Sequence, residues 1–349
     1  MSPHLGSWAQ ALRRLQRGAL WQGEAAPTSP EALRELLAAH RDSAWVVVGR
    51  GTQGGSRPQQ PFRALHTGAL VAGSPETDSD AMILRIDARA SWQEAEAAAQ
   101  RAGWTVAYLS DAWSESSVGG SLSIRAGLPA TWLACHAHAA VADVEAIGWD
   151  GHLYRNARAP RTASGPDLRY TFLGKEGQSG VLLRVGIEAR PAWGWSAWRL
   201  AGGLCAWPQV RALAEVAPHR FARLSWRDGH WEGWVWGDDR LGVVLRERLA
   251  RLGAETERDT PTPLPALHAG RRLQVLRPWS DLGSLSDELA ASVEVVGTSP
   301  THVAMRWSVA SDAEARRIAS LCLQGDARGL VAWRPAGWCS TLTAPGATS

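Results

Sequence analysis

Residues 174–180, with the sequence GKEGQSG, carry three glycines at a spacing of three and the one lysine of the chain. Glycine-rich loops can bind phosphate through backbone N–H groups, so nucleotide binding is the first chemistry to consider. The segment is not a Walker A loop, because Lys175 precedes Glu176 and not the Ser or Thr that would contact magnesium. It is not a Rossmann fingerprint, since a strand-like run follows where a helix is required. Taken alone, the pattern favours a hairpin loop with glycines at positive φ.

Two other segments are rich in glycine and small polar residues. GRGTQGGSRPQQP, at residues 49–61, follows the β-branched run AWVVV, and its composition excludes a helix or a strand. SSVGGS, at residues 116–121, belongs to a second segment interrupted by glycines. Small residues suit anion binding, because backbone amides can approach phosphate oxygens only where no Cβ is in the way.

The remaining candidate residues favour structural roles. His136 and His138 have the spacing of metal ligands on a strand, but no third ligand is near them in sequence, so structural or surface histidines are expected. Trp231, Trp234 and Trp236 are expected to pack in a core or interface. Four cysteines lie far apart without a CxxC pair, which predicts reduced thiols and neither structural zinc nor an iron–sulfur cluster in this chain.

The composition bounds the class of protein. A length of 349 residues predicts two domains, and 45% hydrophobic with 20% charged residues is typical of a globular chain. The net charge of +3 is small and the arginines are dispersed, which disfavours nucleic-acid binding. No apolar run reaches the roughly 18 residues of a membrane span, and the first twenty residues do not resemble a signal peptide. We therefore expect a cytoplasmic protein.

The elements that would position the glycine-rich segments can be predicted up to Pro191. A short helix is expected at residues 8–17, and a second begins at the cap Ser29. A buried strand enters the loop at residue 49. The run MILRIDARA predicts a strand, and SWQEAEAAAQRAG predicts a capped helix. An Asp150-Gly151 turn predicts a hairpin, and a long strand follows the GKEGQSG loop.

After Pro191 the sequence alternates short strands and helices, which predicts an α+β domain with an antiparallel sheet covered on one face. Helices are expected at residues 208–216 and 238–253, and a second Asp-Gly turn predicts a hairpin between them. A strand is expected at GLVAWRP, and the last dozen residues are expected to fray.

The order of these features resembles a known family. The strand and loop WVVVGRGTQGGSRP, the strand–helix unit, VGGSLSIRAG, and the hairpin followed by GKEGQSGVLLRVGIEARP occur in the order of the FAD-binding domain of the vanillyl-alcohol oxidase and p-cresol methylhydroxylase (PCMH) flavoproteins. In length and spacing the chain most resembles the FAD-binding subunit of bacterial glycolate oxidase. The resemblance covers residues 30–191 and implies an α+β fold: a two-subdomain PCMH-type FAD-binding domain at 1–195 (about 1–75 and 76–195), then an α+β, ferredoxin-like domain at 196–349.

The resemblance also implies a site for non-covalent FAD, because the first loop lacks the histidine that tethers flavin in some relatives. The first loop would wrap the pyrophosphate, the second segment would lie beside flavin and pyrophosphate, and the third would hold the adenine side. The residues so implied are Gly51, Thr52, Gln53, Gly54, Gly55 and Ser56; Ser117, Val118, Gly119, Gly120 and Ser121; and Gly174, Gly177, Gly180 and Val181.

Several positions depart from the family pattern. Lys175 replaces a small residue, and Ser179 and Leu183 replace the family's Leu and Thr. Ala139-Ala140 stand where relatives tend to carry Asp. Two further departures are Ala90, at a position often occupied by glycine, and Arg125, where small residues are expected.

The implied function is a FAD-dependent oxidoreductase, or its FAD-binding subunit, that oxidises a 2-hydroxy acid such as glycolate. The partners implied are a larger flavin oxidase subunit and an iron–sulfur subunit, and no catalytic base can be named. The departures favour an alternative: a cofactor-free paralogue that serves as the structural partner of a true flavin subunit. A nucleic-acid binder is the third hypothesis.

Overall fold

The computed structural model describes most of the chain up to Arg258 and the strands beyond it. The described residues are 20–50, 60–106, 116–123, 140–156, 167–192, 194–202, 206–216, 220–227, 229–237, 239–258, 271–278, 294–297, 302–309, 314, 317–318, 331–334 and 340–342. The expected helix at 8–17, loop residues 51–56, the histidine pair, Arg125 and Ala139 lie outside them.

A three-stranded parallel sheet begins the fold. Its elements are β1 (Trp21–Ala25), α1 (Pro30–Ala39), β2 (Trp45–Val48) and β3 (Phe62–His66). The strand order is β1-β3-β2, and both pairs are parallel. Helix α1 begins as predicted, because the Ser29 side chain accepts a hydrogen bond from the Ala32 amide. Since all three strands run the same way, their carboxyl ends meet at one edge.

A five-stranded antiparallel sheet follows. The next elements are β4 (Glu76–Asp78), β5 (Ile83–Asp87), α2 (Trp92–Arg101), β6 (Trp104–Thr105), α3 (Val118–Ser123), β7 (Val141–Gly148), β8 (Leu153–Arg155), α4 (Arg169–Phe172), β9 (Gly180–Glu188) and β10 (Arg190–Pro191). The sheet order is β4-β5-β9-β7-β8, and β6 pairs with β10 apart from it. The capped helix and the hairpin turn are both confirmed: Ser91 and Glu94 form a capping box, and Gly151 has a φ of +79°.

Apolar contacts join the two sheets. Leu33 and Leu37 of α1 are buried in one cluster with Ile147 of β7 and with Val181 and Leu183 of β9. The opposite face of the five-stranded sheet packs on α2 in a larger cluster that contains Trp92, Val144 and Val185. The five-stranded sheet is therefore buried on both faces, which explains the nearly continuous apolar sequence of β9.

Buried charges hold the connection between the sheets. Arg184 of β9 donates to the Ser74 carbonyl at 2.7 Å and pairs with Glu76 at 2.9 Å, so residues 74–76 are fixed across the sheet. Beside it, Arg85 pairs with Asp143 at 2.9 Å, and both side chains are almost fully buried. Each of these three arginine and aspartate charges has a partner of opposite sign, as its desolvation requires.

The described strands after Pro191 form one nine-stranded antiparallel sheet. Its elements are β11 (Trp195–Ala201), α5 (Trp207–Val216), β12 (Phe221–Arg227), β13 (His230–Trp236), α6 (Arg240–Arg251), β14 (Glu255–Arg258), β15 (Arg271–Pro278), β16 (Glu294–Gly297), β17 (His302–Val309), β18 (Val331–Arg334) and β19 (Ser340–Leu342). The strand order is β14-β11-β13-β12-β16-β17-β15-β18-β19. The predicted α+β arrangement is confirmed.

The strand order also shows an internal duplication. From β11 to β14 the chain has the β-α-β-β-α-β pattern and sheet order of a ferredoxin-like unit. Strands β15 to β18 take the equivalent places in reverse order, and the two units meet where β12 pairs with β16. The sequence prediction of a frayed terminus was wrong for Ser340–Leu342, because β19 pairs with β18.

Tryptophan side chains form the core beneath the first ferredoxin-like unit. Trp231 is fully buried and stacks on Trp207 with ring centroids 5.2 Å apart, and Trp234 and Trp236 are also buried. The expectation that Trp231, Trp234 and Trp236 pack in a core is confirmed. No helix within the described ranges has the length and apolar character needed to cross a membrane.

Candidate functional site

Gly49 lies at the carboxyl edge of the parallel sheet, directly after β2 and before the loop 51–59. A Cβ on residue 49 would stand 3.0 Å from the Ser117 Oγ and 4.0 Å from the Thr67 Oγ1. The end of β2, the residue after β3 and the residue before α3 therefore lie close together. The crevice outside the carboxyl ends of parallel strands is where open α/β sheets bind ligands.

The second glycine segment forms the short helix α3, which the sequence did not predict. The Ser117 hydroxyl accepts a hydrogen bond from the Gly120 amide at 3.1 Å. The Val118 and Gly119 amides donate to the carbonyls of Ala90 and Ala88, both at 2.8 Å. These bonds fix the start of α3 against the segment that follows β5.

Gly119 and Gly120 serve close packing within the protein. A Cβ on residue 119 would lie 2.8 Å from the Ala88 Cβ, and one on residue 120 would lie 2.7 Å from the Ser117 Oγ. Both distances are shorter than real Cβ contacts. At residue 119 the crowding comes from the Ala88 Cβ and backbone, so glycine is required there, whereas at residue 120 the Ser117 hydroxyl can rotate away.

Ser121 carries an unused polar atom at this point. Its residue is fully buried, and its Oγ has no hydrogen-bond partner within the described part of the chain. A buried hydroxyl without a hydrogen-bond partner costs free energy. A bound ligand that supplied the partner would explain why the hydroxyl is there.

The third glycine loop continues directly from α3. The Gly174 amide donates to the Leu122 carbonyl at 2.9 Å, and the Glu176 amide donates to the Ser123 carbonyl at 2.6 Å. Lys175 lies between these two bonds and is half-buried, so its backbone is held at the end of α3.

Gly177 brings the third loop onto β2, the strand that precedes the first loop. Its φ is +77°, and a Cβ there would lie 2.9 Å from the Val47 Cγ2. The Trp149 Nε1 donates to the carbonyls of Gly177 and Gln178 at 3.1 and 3.0 Å, which holds the same loop from the β7–β8 turn. All three glycine segments thus approach the end of β2.

Gly180 and Val181 begin β9 and have structural environments. Gly180 has a φ of +145°, and a Cβ on it would collide with the Ile147 carbonyl oxygen of the neighbouring strand. Val181 is buried in the apolar cluster between the two sheets. At this end of β9, Gly180 pairs with Gly148 of β7 and Val181 pairs with Ile147.

The whole arrangement has counterparts among solved structures, although no protein-family model matches the chain. Two structures of alkyldihydroxyacetonephosphate synthase, from two crystal forms, superpose with a TM-score of 0.66 at 11% and 12% identity. The similarity covers 86% of this chain and 70% and 71% of the two synthase chains. The chain has the PCMH-type fold. At this identity the likeness is one of fold.

Within the PCMH-type fold, the second and third predicted segments come together and the first reaches them through Gly49. The residues 51–56 themselves lie outside the described residues, so their part in the site stays a prediction. Within the described ranges, no group of three His, Cys, Asp or Glu side chains is arranged to hold a metal ion.

The structure adds side chains to which the sequence had not pointed. Thr67 donates from its hydroxyl to the Val48 carbonyl at 3.3 Å and lies beside Gly49. Arg50 reaches the start of α2, and Trp149 holds the third loop. No motif marks them, because each acts on a residue distant in sequence.

One buried carboxyl, that of Glu96, lies where α2 meets the end of β6. Glu96 of α2 accepts hydrogen bonds from the Val106 amide at 2.9 Å and the Thr105 hydroxyl at 3.1 Å. Burial raises the pKa of Glu96, and the bonds from Val106, Thr105 and Gln100 offset only part of that rise. Two of these three hydrogen bonds hold the end of β6 and the third lies within α2, which indicates a structural role.

Proposed function

We propose that this protein is a FAD-binding oxidoreductase whose cofactor lies where the three glycine segments converge. The strongest support is that two of the segments lie close to the end of β2. Gly49 lies against Ser117, which precedes α3, and Gly177 of the third loop lies against Val47. Small residues such as glycine let backbone amides approach the phosphates of a dinucleotide.

The described residues fit this group. Gly49 presents no Cβ toward Ser117, and the buried Ser121 Oγ of α3 has no hydrogen-bond partner among the described residues. In this proposal the amides of Gly51, Thr52, Gln53, Gly54, Gly55 and Ser56 hold the pyrophosphate. The α3 segment lies beside flavin and pyrophosphate, and the loop from Gly174 to Val181 bounds the adenine side. Bound FAD supplies the acceptor for a hydride or electrons, and the chain orients it without a covalent link.

The finer proposal is a subunit of a glycolate oxidase-like complex that acts on a 2-hydroxy acid. It rests on the sequence resemblance, which also suggests a larger flavin oxidase subunit and an iron–sulfur subunit as partners. The synthase structures do not bear on substrate, because at 11% identity they are similar in fold only.

The second candidate is a cofactor-free paralogue that acts as the structural partner of a flavin oxidase subunit. A specific observation favours it: Gly119, Gly177 and Gly180 are each required by contacts within the protein, so they would persist without FAD. Lys175 in place of a small residue points the same way.

FAD titration of the purified protein separates the two candidates. We expect the protein to show flavin absorbance or to bind added FAD. Gly49→Ala should weaken binding about tenfold, because the new methyl group would crowd the Ser117 Oγ at 3.0 Å. Gly68→Ala is the matched control, since a Cβ on residue 68 meets nothing within 4 Å. A colourless protein that takes up no FAD, yet co-purifies with a flavoprotein, would favour the structural partner.

A further inference from the structure

A short connection joins the amino-terminal unit, which comprises β1 to β10 and their helices, to the nine-stranded unit that begins at β11. It follows Pro191 and leads directly into β11. The Ala192 amide at its start donates to the Gly103 carbonyl at 2.9 Å, and the Gly194 carbonyl at its end accepts the Gly237 amide at 2.9 Å. The connection is therefore bonded to the amino-terminal unit at one end and to the nine-stranded unit at the other.

The Arg190 side chain makes a contact across this connection. Arg190 belongs to the amino-terminal unit, because it pairs with Thr105 where β10 meets β6. Its guanidinium carbon lies over the ring of Trp236, 6.0 Å from the ring centroid. Trp236 ends β13 of the nine-stranded unit and pairs with Trp195 of β11. A half-buried cation of one unit is therefore held against an aromatic ring of the other, which is a favourable cation–π interaction.

Trp236 is held in place by its own unit. The residue is 3% exposed, and the guanidinium carbon of Arg220 lies 4.8 Å from the centroid of the same ring. Arg220 pairs with the Asp239 carboxylate at 2.8 Å, and Asp239 accepts the Gly242 amide at the start of α6. Because a shift of Trp236 would disturb both β13 and the start of α6, Arg190 contacts a fixed part of the nine-stranded unit.

Extensive packing between elements stays within each unit. Among the described helices and strands, no pair that spans the connection packs extensively. Two units that share little packed surface turn relative to each other unless a specific contact opposes the motion. Within the described ranges, Arg190 and Trp236 supply such a contact.

We propose that Arg190 and Trp236 form a latch that holds the nine-stranded unit in its orientation on the amino-terminal unit, and that breaking the latch lets the connection after Pro191 bend. The inference does not depend on the proposed function, because no residue of the three glycine segments takes part in the latch. Hinges of this kind change the orientation of two units without unfolding either one.

The test compares Arg190→Ala with Arg101→Ala. Arg101 is an exposed arginine in the last turn of α2, and it makes no contact with the nine-stranded unit among the described residues. Hydrogen exchange followed by mass spectrometry measures the opening of the amides of Ala192 and Gly237. Small-angle X-ray scattering measures the radius of gyration. Both measurements use the full chain without added FAD.

We expect Arg190→Ala to speed exchange at Ala192 and Gly237 about threefold and to enlarge the radius of gyration, because the connection then bends more often. The amides of the buried strand β9 should exchange as in the unaltered protein, which shows that the variant is folded. Arg190→Lys should restore most of the protection, since a lysine ammonium also binds an aromatic face. Arg101→Ala should match the unaltered protein in both measurements.

Unchanged exchange and an unchanged radius of gyration in Arg190→Ala would overturn the inference, and so would equal changes in Arg101→Ala. Faster exchange in β9 as well would show that the substitution destabilises the whole amino-terminal unit, and that result also overturns the latch. None of these outcomes bears on whether the protein binds FAD, so the proposed function is tested separately by the FAD titration.

Discussion

Gly177 lies against Val47, so close that a Cβ on residue 177 would stand 2.9 Å from the valine Cγ2. This contact places the third glycine loop against β2, the strand that precedes the first glycine loop. Because Gly177 also has a φ of +77°, both crowding and backbone conformation require glycine there.

We predict that Gly177→Ala lowers the free energy of unfolding by about 2–3 kcal/mol. Gly151→Ala should cost only about 1 kcal/mol, since residue 151 has a similar φ of +79° but open space around it. Combining Gly177→Ala with Val47→Ala should cost less than the sum of the single changes. The measurement is urea unfolding of all four variants. Equal losses for residues 177 and 151 would show that crowding on Val47 contributes nothing.

Gly180 should tolerate a side chain least. Its Cβ would meet the Ile147 carbonyl oxygen, and a backbone atom in a paired strand has little freedom to move. We expect Gly180→Ala to lower the free energy of unfolding by about 3–4 kcal/mol, and Gly103→Ala, at φ +74° with open space, by about 1 kcal/mol. Chemical denaturation checks both, and a Gly180 variant as stable as the Gly103 variant would contradict the strand geometry.

Trp149 should support the site through the third loop. Replacing it by Phe keeps most of the apolar contact and removes the donor to the Gly177 and Gln178 carbonyls. We predict a loss of about 1 kcal/mol in stability and, if FAD binds as proposed, an affinity reduced about threefold. Trp45→Phe is the control, because Trp45 packs against the same apolar cluster. Similar FAD affinities in the two variants would exclude this role for the indole N–H.

Glu96 should make stability depend on pH in an unusual direction. Its pKa is raised by burial, so the folded state binds the proton more tightly than the unfolded chain does. Its stabilising contribution is present below the ordinary glutamate pKa of 4.5 and is lost as the pH rises through the higher folded-state pKa. The stability advantage of the unaltered protein over Glu96→Gln should therefore be larger at pH 5 than at pH 8.

Asp167 should show the opposite pH dependence of stability, and urea unfolding at several pH values measures it for both Asp167→Asn and Glu96→Gln. Its hydrogen bonds with Arg169 lower its pKa, so its contribution is present above the ordinary aspartate pKa and is lost as the pH falls. The advantage over Asp167→Asn should shrink between pH 5 and pH 3. Trends of the same sign in the two variants would contradict the assigned environments.

Local signals in the sequence predicted most elements correctly. Ser29 and Ser91 begin helices because their side chains accept the free amides of the first turn, and that interaction spans only three residues. The Asp150-Gly151 turn closes a hairpin for an equally local reason. Helix α3 was missed because its two glycines argue against a helix, and only packing against Ala88 outweighs that preference.

The sequence by itself determined the α+β class, the order of the elements and the three glycine segments. Periodicity, caps and turn residues act over a few positions, and family resemblance depends on their order. Only the tertiary structure decided what the glycines do. Gly119, Gly177 and Gly180 are required by Ala88, Val47 and Ile147, partners that lie about 30 or more residues away in the chain. The same holds for Arg50, since its link to Glu94 exists only once the parallel sheet and α2 are packed together.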